Sequence, residues 1–140
     1  MTEIMPNVFL TPLKRISLES GDVLHALKKS DEAFHGFGEA YFSLIHHHAI
    51  KGWKCHTMMC MNLVVPAGDV KFVFYDQLAN QFTEVIIGDS NYQRITVHPN
   101  IWFAFQGRSE ATSIVLNIAD IPHDPTESLK KELKDLQYEW

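Results

Sequence analysis

Cysteine is scarce in this chain of 140 residues, with only Cys55 and Cys60. Two thiols make no disulfide framework. No second Cys or His pair stands at zinc-site spacing from them, so they are expected as buried, small apolar groups. Also missing is any apolar run near the roughly 18 residues that span a bilayer. The first residues, MTEIMP, have neither a basic start nor an apolar signal core, so a cytoplasmic protein that avoids membranes is expected. Positive charge is in deficit. Twelve Lys and Arg against 17 Asp and Glu leave a net charge of -5, which argues against nucleic acid as a partner. A local basic pocket for one or two phosphates is compatible with that balance. Helical periodicity is rare as well, and no helical stretch separates the strand-like segments, which disfavours a parallel α/β fold.

What is present is β signal. A hydrophobic share of 46% with 21% charged residues supports one globular domain over 1–140. An edge strand or arm is expected over 7–13. A loop with a short helical turn follows over 16–29, and a further loop over 30–38. Strands are expected over 39–45, 49–57, 61–65, 69–75, 82–87, 93–97, 101–105 and 111–118, with turn signals about every 8–12 residues. That pattern means an antiparallel sandwich or barrel. The end of the chain reads as a helix over 126–140. Asp124, Pro125 and Glu127 form its start, and Leu129, Leu133 and Leu136 its apolar stripe.

The strand Ala49–Thr57 is the first place to look for chemistry. Side chains alternate along a strand, which sets Gly52, Lys54 and His56 on one face and Trp53 and Cys55 on the other. A lysine and a histidine beside a glycine can wall a small-molecule site. The same pair also occurs on solvated sheet faces. The triplet His46, His47, His48 invites a metal, yet only His46 and His48 can share a face, with His56 as a third ligand. A polar strand end or pocket rim is the competing reading. Tyr41 and Tyr75 are candidate acids or ordinary packing residues. Trp102, with Trp53, Phe103 and Phe105, offers either a stacking surface or core packing. Arg94 either reaches a nucleotide or lies at a solvated strand end.

Five segments in register carry a family resemblance: GEAYFS at 38–43, IKGWKCH at 50–56, NLVV at 62–65 with Gly68, ITVHPNIWFAFQ at 95–106 and LNIADIPHDP at 116–125. Over roughly residues 7 to 127 the chain resembles the dTDP-4-dehydrorhamnose 3,5-epimerase family. The resemblance implies an all-β, cupin-type double-stranded jelly roll, to which the C-terminal pattern adds a short helix. It also implies a homodimer, a nucleotide-linked 4-keto-6-deoxy sugar as ligand, a place in surface polysaccharide synthesis, and no metal or organic cofactor.

Family chemistry removes a proton beside the sugar's C4 ketone and returns one on the opposite face. That requires a base, an acid and a cation or donor near the enolate oxygen. The chain departs from the family at each of those positions. Lys54 stands where the base histidine of Arg-Gly-Leu-His falls, Asn62 where the lysine before Leu-Val falls, and Asn117 where the late-strand tyrosine falls. Phe103 replaces the second-signature histidine. Lys51 keeps the charge of the phosphate-binding arginine without its bidentate grip, and Asp76 matches the acid of the family's Val-Asp pair. The resulting expectation is an epimerase or isomerase in which Lys54 and His56 move protons. Asp76 orients one of them, Lys51 holds phosphates, and Asn62, Asn117, Trp102 and Arg94 contact substrate. A sugar-nucleotide binder or partner subunit without turnover is the alternative. Metal-dependent cupin chemistry is a third reading, weakened by the missing His-x-His.

Overall fold

Strand Ser113–Ala119 alternates buried and half-buried residues without a break, the period-2 signature of a sheet with one face in a core. The same logic runs through a computed structural model that describes all residues 1–140. The strands are β1 (Thr2–Met5), β2 (Val8–Pro12), β3 (Arg15–Ile16), β4 (Val23–Leu24), β5 (Glu39–Ile45), β6 (Ile50–His56) and β7 (Met61–Ala67). They continue as β8 (Asp69–Asp76), β9 (Gln81–Gly88), β10 (Gln93–Val97), β11 (Trp102–Gly107), β12 (Ser113–Ala119) and β13 (Ser128–Lys130).

Two antiparallel sheets face each other, one ordered β1-β2-β10-β7-β12-β5 and the other β13-β6-β11-β8-β9. This is the all-β antiparallel sandwich expected from the turn spacing, and it is consistent with the jelly roll that the resemblance implies. Between the sheets lie Val8, Ile45, Leu63, Val65, Phe72, Phe74, Ile95 and Val115, all buried. Their aromatic and β-branched side chains suit a pleated, half-buried surface.

Two expectations fail. Residues 16–29 contain no helical turn, because Arg15–Ile16 and Val23–Leu24 pair as a small hairpin. Nor is there a C-terminal helix over 126–140. Ser128–Lys130 pairs with β6 and only Leu133–Asp135 coils, as a single 3-10 turn. The reason is tertiary. Without β13, strand β6 would leave its backbone groups unpaired at a sheet edge, and pairing there outweighs a weak helical propensity. The apolar stripe is only partly covered, and in another way: Leu129 is exposed, while Leu133 and Leu136 are half-buried. Leu133, Leu136, Tyr138 and Trp140 cover a cluster of Trp53, Cys55, Val73, Trp102 and Ala104 on the outer face of the second sheet.

The long connection between β4 and β5 covers the outer face of the first sheet. Asn62 Nδ2 donates to Ala33 O at 2.9 Å, and Arg94 donates to Ala26 O at 2.8 Å and to Asp31 at 3.2 Å. No helix is long and apolar enough to cross a membrane.

Candidate active site

Strand β6 does not keep strict alternation. Opposite β11, Phe103 pairs with Lys54 and Ala104 with Gly52, so Trp53 is an extra residue, a β-bulge. Paired residues share a sheet face. Gly52 therefore points outward with Ala104, where a Cβ would stand 2.3 Å from that of Ala104, and its φ of +148° also favours glycine. The Gly52 backbone nevertheless lines the same cavity as Lys54 and His56, as expected, although a side chain there would point to the other face. The phase reversal turns Lys51 inward opposite Phe105.

Lys51, Gly52, Lys54 and His56 thus line one cavity of about 230 Å³ inside the roll, with Tyr41, Ser43, Met61, Leu63, Phe103, Phe105, Val115 and Asn117. Strand β6 supplies Lys51, Lys54 and His56. Strands β5 and β12, in the opposite sheet, supply Tyr41 and Asn117. Lys54 is half-buried and His56 buried.

His56 belongs to a dyad. Its Nδ1 is hydrogen-bonded to Glu127 Oε1, and the two side chains are almost wholly buried. The other carboxylate oxygen accepts the Met58 and Met59 N–H groups at 3.1 and 3.3 Å. Burial pushes the His56 pKa below its ordinary value, assisted by the nearby Lys54 charge and against the opposing pull of Glu127. Burial also works against the Glu127 anion, but its bonds from His56 and the two backbone N–H groups win and hold its pKa below the usual value. At neutral pH the arrangement is a carboxylate beside a neutral imidazole. Glu127 fixes the Nδ1–H tautomer, which leaves Nε2 as a lone-pair acceptor. That Nε2 is buried and has no protein partner, and the same holds for Asn117 Oδ1. Both atoms belong to residues that line the cavity, where water or a ligand can supply the partner that buried polar groups otherwise find.

Asn117 Nδ2 donates to the Tyr41 hydroxyl at 3.1 Å, and the two residues are register partners across β12 and β5. Lys51 Nζ donates to Leu44 O at 2.6 Å.

Other expected site residues lie elsewhere. Asp76 Oδ1 accepts the Leu78 and Ala79 N–H groups at 3.0 and 3.2 Å, so it shapes the turn after β8 and lines no wall of this cavity. Asn62 and Arg94 face away from the cavity and pin the β4–β5 connection, as described above; Asn62 Oδ1 also accepts the Thr96 hydroxyl at 2.7 Å. Trp102 packs in the outer cluster. Tyr75 bonds Asn80 at 2.8 Å outside the cavity. His46 bonds Thr112 at 2.9 Å, and His47 stacks on His48. None of the triplet joins His56 at the cavity wall. Glu127 is the residue that sequence reasoning missed, having been read as part of a helix start.

Two antiparallel sheets enclosing an interior cavity are consistent with a cupin-type jelly roll. Comparison with solved structures narrows the class. The chain is similar to a dTDP sugar isomerase from Desulfovibrio desulfuricans G20, at 30% identity over 95% of this chain and 90% of that one, with a TM-score of 0.90. It therefore belongs to the dTDP-sugar isomerase and epimerase family, the dTDP-4-dehydrorhamnose 3,5-epimerase-like cupins. The fold is shared with the sugar 3,4-ketoisomerase QdtA from Thermoanaerobacterium thermosaccharolyticum in complex with TDP, at 18% identity over 95% and 96% of the two chains, TM-score 0.78. It is shared too with dTDP-4-dehydrorhamnose 3,5-epimerase from Sulfolobus tokodaii, at 14% identity over 97% and 83%, TM-score 0.83. No protein-family model matches the chain, and no curated protein matches it.

Proposed function

We propose that this protein is an epimerase or isomerase of a dTDP-linked 4-keto-6-deoxy sugar, working by proton transfer beside the C4 ketone. The observation that carries this reading is the buried His56–Glu127 dyad, whose unpartnered Nε2 belongs to the cavity wall.

In this reading His56 Nε2 takes the proton from a carbon adjacent to the ketone. The C–H bond breaks, its electron pair forms the enolate double bond, and charge gathers on the C4 oxygen. Glu127 stabilises the imidazolium that results. Lys54, a neighbour in the same wall, offers its ammonium to the enolate oxygen. This assigns Lys54 electrostatic work in place of the proton-carrying role expected from sequence. Tyr41, carried by the opposite sheet, gives its hydroxyl proton to the carbon from the other side, and solvent resets both groups. A base and an acid on facing sheets suit inversion at carbon.

Lys51 lines the same cavity with a charge suited to the nucleotide's phosphates, and Asn117 Oδ1 is free to accept a sugar hydroxyl. Edge strand β5 exposes Phe42 and Leu44, which supports the expected homodimer through that edge. A role in surface polysaccharide synthesis follows from the resemblance.

The test is incubation with TDP-4-keto-6-deoxyglucose, the ligand of a structural neighbour, in deuterium oxide. Deuterium appearing at a carbon next to C4 by NMR supports turnover. Binding with no exchange leaves the non-catalytic alternative standing and removes this one.

A further inference from the structure

Outside the cavity, His35, Cys60 and His98 bring their three donor atoms within 4.8 Å of one another. They come from three places in the chain. His35 lies in the β4–β5 connection, Cys60 immediately before β7, and His98 just after β10. With Met58, Pro99 and Asp120 they line a surface pocket. His46 and His56 each commit a ring nitrogen to Thr112 and Glu127, whereas the His35 and His98 rings meet edge to face, 5.2 Å between centroids.

We propose that this cluster is a zinc site. Zinc takes imidazole nitrogen at about 2.0–2.1 Å and thiolate at about 2.3 Å, so tetrahedral donors stand roughly 3.3–3.7 Å apart. The cluster needs to close by about 1 Å to reach that spacing. Two of the ligands are held in place. Cys60 N donates to Asp120 Oδ1 at 2.8 Å, and Asp120 N donates back to Cys60 O at 3.3 Å. His98 is anchored through its N–H to Asn7 O at 3.0 Å and packs its ring on Phe9. His35 is exposed on a connection, so it is the ligand that moves.

Two imidazoles and one thiolate suit a borderline cation such as zinc and leave a fourth position for water or another donor. Binding deprotonates the thiol and releases its proton to solvent. Its structural effect is to fasten the β4–β5 connection at a further point, beside the Ala26, Asp31 and Ala33 anchors. The site is separate from the His56 dyad and needs no metal in the sugar cavity.

The experiment uses the full chain, stripped with chelator and titrated with Zn²⁺ against a chromophoric competitor, then with Co²⁺ as a spectroscopic probe. One equivalent is expected, with a thiolate-to-cobalt charge-transfer band in the near ultraviolet. Cys60→Ser should abolish the band. His35→Ala and His98→Ala should weaken Zn²⁺ binding by more than the roughly 10–100-fold that loss of a ligand's hydrogen-bonding partner costs. His47→Ala with His48→Ala should leave it unchanged. No thiolate band in wild type overturns the site, as does a band that persists in Cys60→Ser. Because Cys60 is buried, His35→Ala, at an exposed position, decides the matter if the serine variant does not fold: unchanged affinity there also overturns the proposal.

Discussion

Asn117 and Tyr41 sit opposite each other across β12 and β5, with Asn117 Nδ2 3.1 Å from the Tyr41 hydroxyl. The resemblance places Asn117 where the family has its late-strand tyrosine, and in the proposed mechanism the Tyr41 phenol on the neighbouring strand takes that part. A hydroxyl that accepts from an amide keeps its own proton free to donate.

Tyr41→Phe removes that proton while keeping the ring. Turnover should fall by about 10²–10⁴, with dTDP affinity unchanged by calorimetry. Exchange of substrate hydrogen with solvent, which needs only the base, should outlast product formation. Full turnover in this variant would assign the acid to another group.

The dyad fixes a pH dependence. Because burial lowers the His56 pKa, the base is neutral at pH 7 and the acid limb of kcat/KM should lie below the ordinary value of about 6.5. Glu127 pulls that pKa upward, so Glu127→Gln should move the limb to still lower pH while reducing the plateau rate. Stability follows the same sense. In the folded chain both pKa values lie below their unfolded values, so each group binds fewer protons there. The His56 contribution is complete above about pH 6.5 and declines as pH falls toward its lowered pKa. The Glu127 contribution is complete above about pH 4.3 and declines as pH falls through its own. Thermal melts across pH 4–8 read this directly.

Lys51 is exposed and its only protein partner is the Leu44 carbonyl. Lys51→Ala should therefore leave the melting temperature nearly unchanged. It should weaken dTDP binding roughly 10-fold, as expected for losing one charge-assisted contact. Raising the salt concentration should shrink the difference.

Asp76 holds a turn. Asp76→Ala should cost about 1 kcal/mol of stability, the scale of a lost capping bond. Its kcat/KM should match that of wild type when assayed below the melting range. A large kinetic defect would return Asp76 to the site.

The fold was legible because strand periodicity and turn chemistry agree from β5 through β12. Within β6, the alternation placed Lys54 and His56 together on the cavity face and Trp53 and Cys55 outside. Strict alternation would have put Lys51 on the opposite face from Lys54, but the bulge at Trp53 shifts the phase and brings Lys51 to the cavity as well, and no residue type announces that shift. Asn62 and Arg94 looked available in sequence; an ordered connection covers them, and only tertiary structure shows it. Glu127 lies 71 residues from His56. Its local pattern, an acid following Asp124 and Pro125, is also how a helix begins, so the sequence offered a plausible wrong reading. The C-terminal stripe failed for a related reason. Leucines spaced for a helix also serve a tail that pairs with an open edge and then lies across Trp53.

The most direct measurement is solvent deuterium incorporation into TDP-4-keto-6-deoxyglucose by wild type and by His56→Asn, each first shown by calorimetry to bind dTDP. With His56 as the base, wild type labels a carbon beside the ketone and the variant is slower by about 10²–10⁴. Labelling by His56→Asn at the wild-type rate would contradict the account.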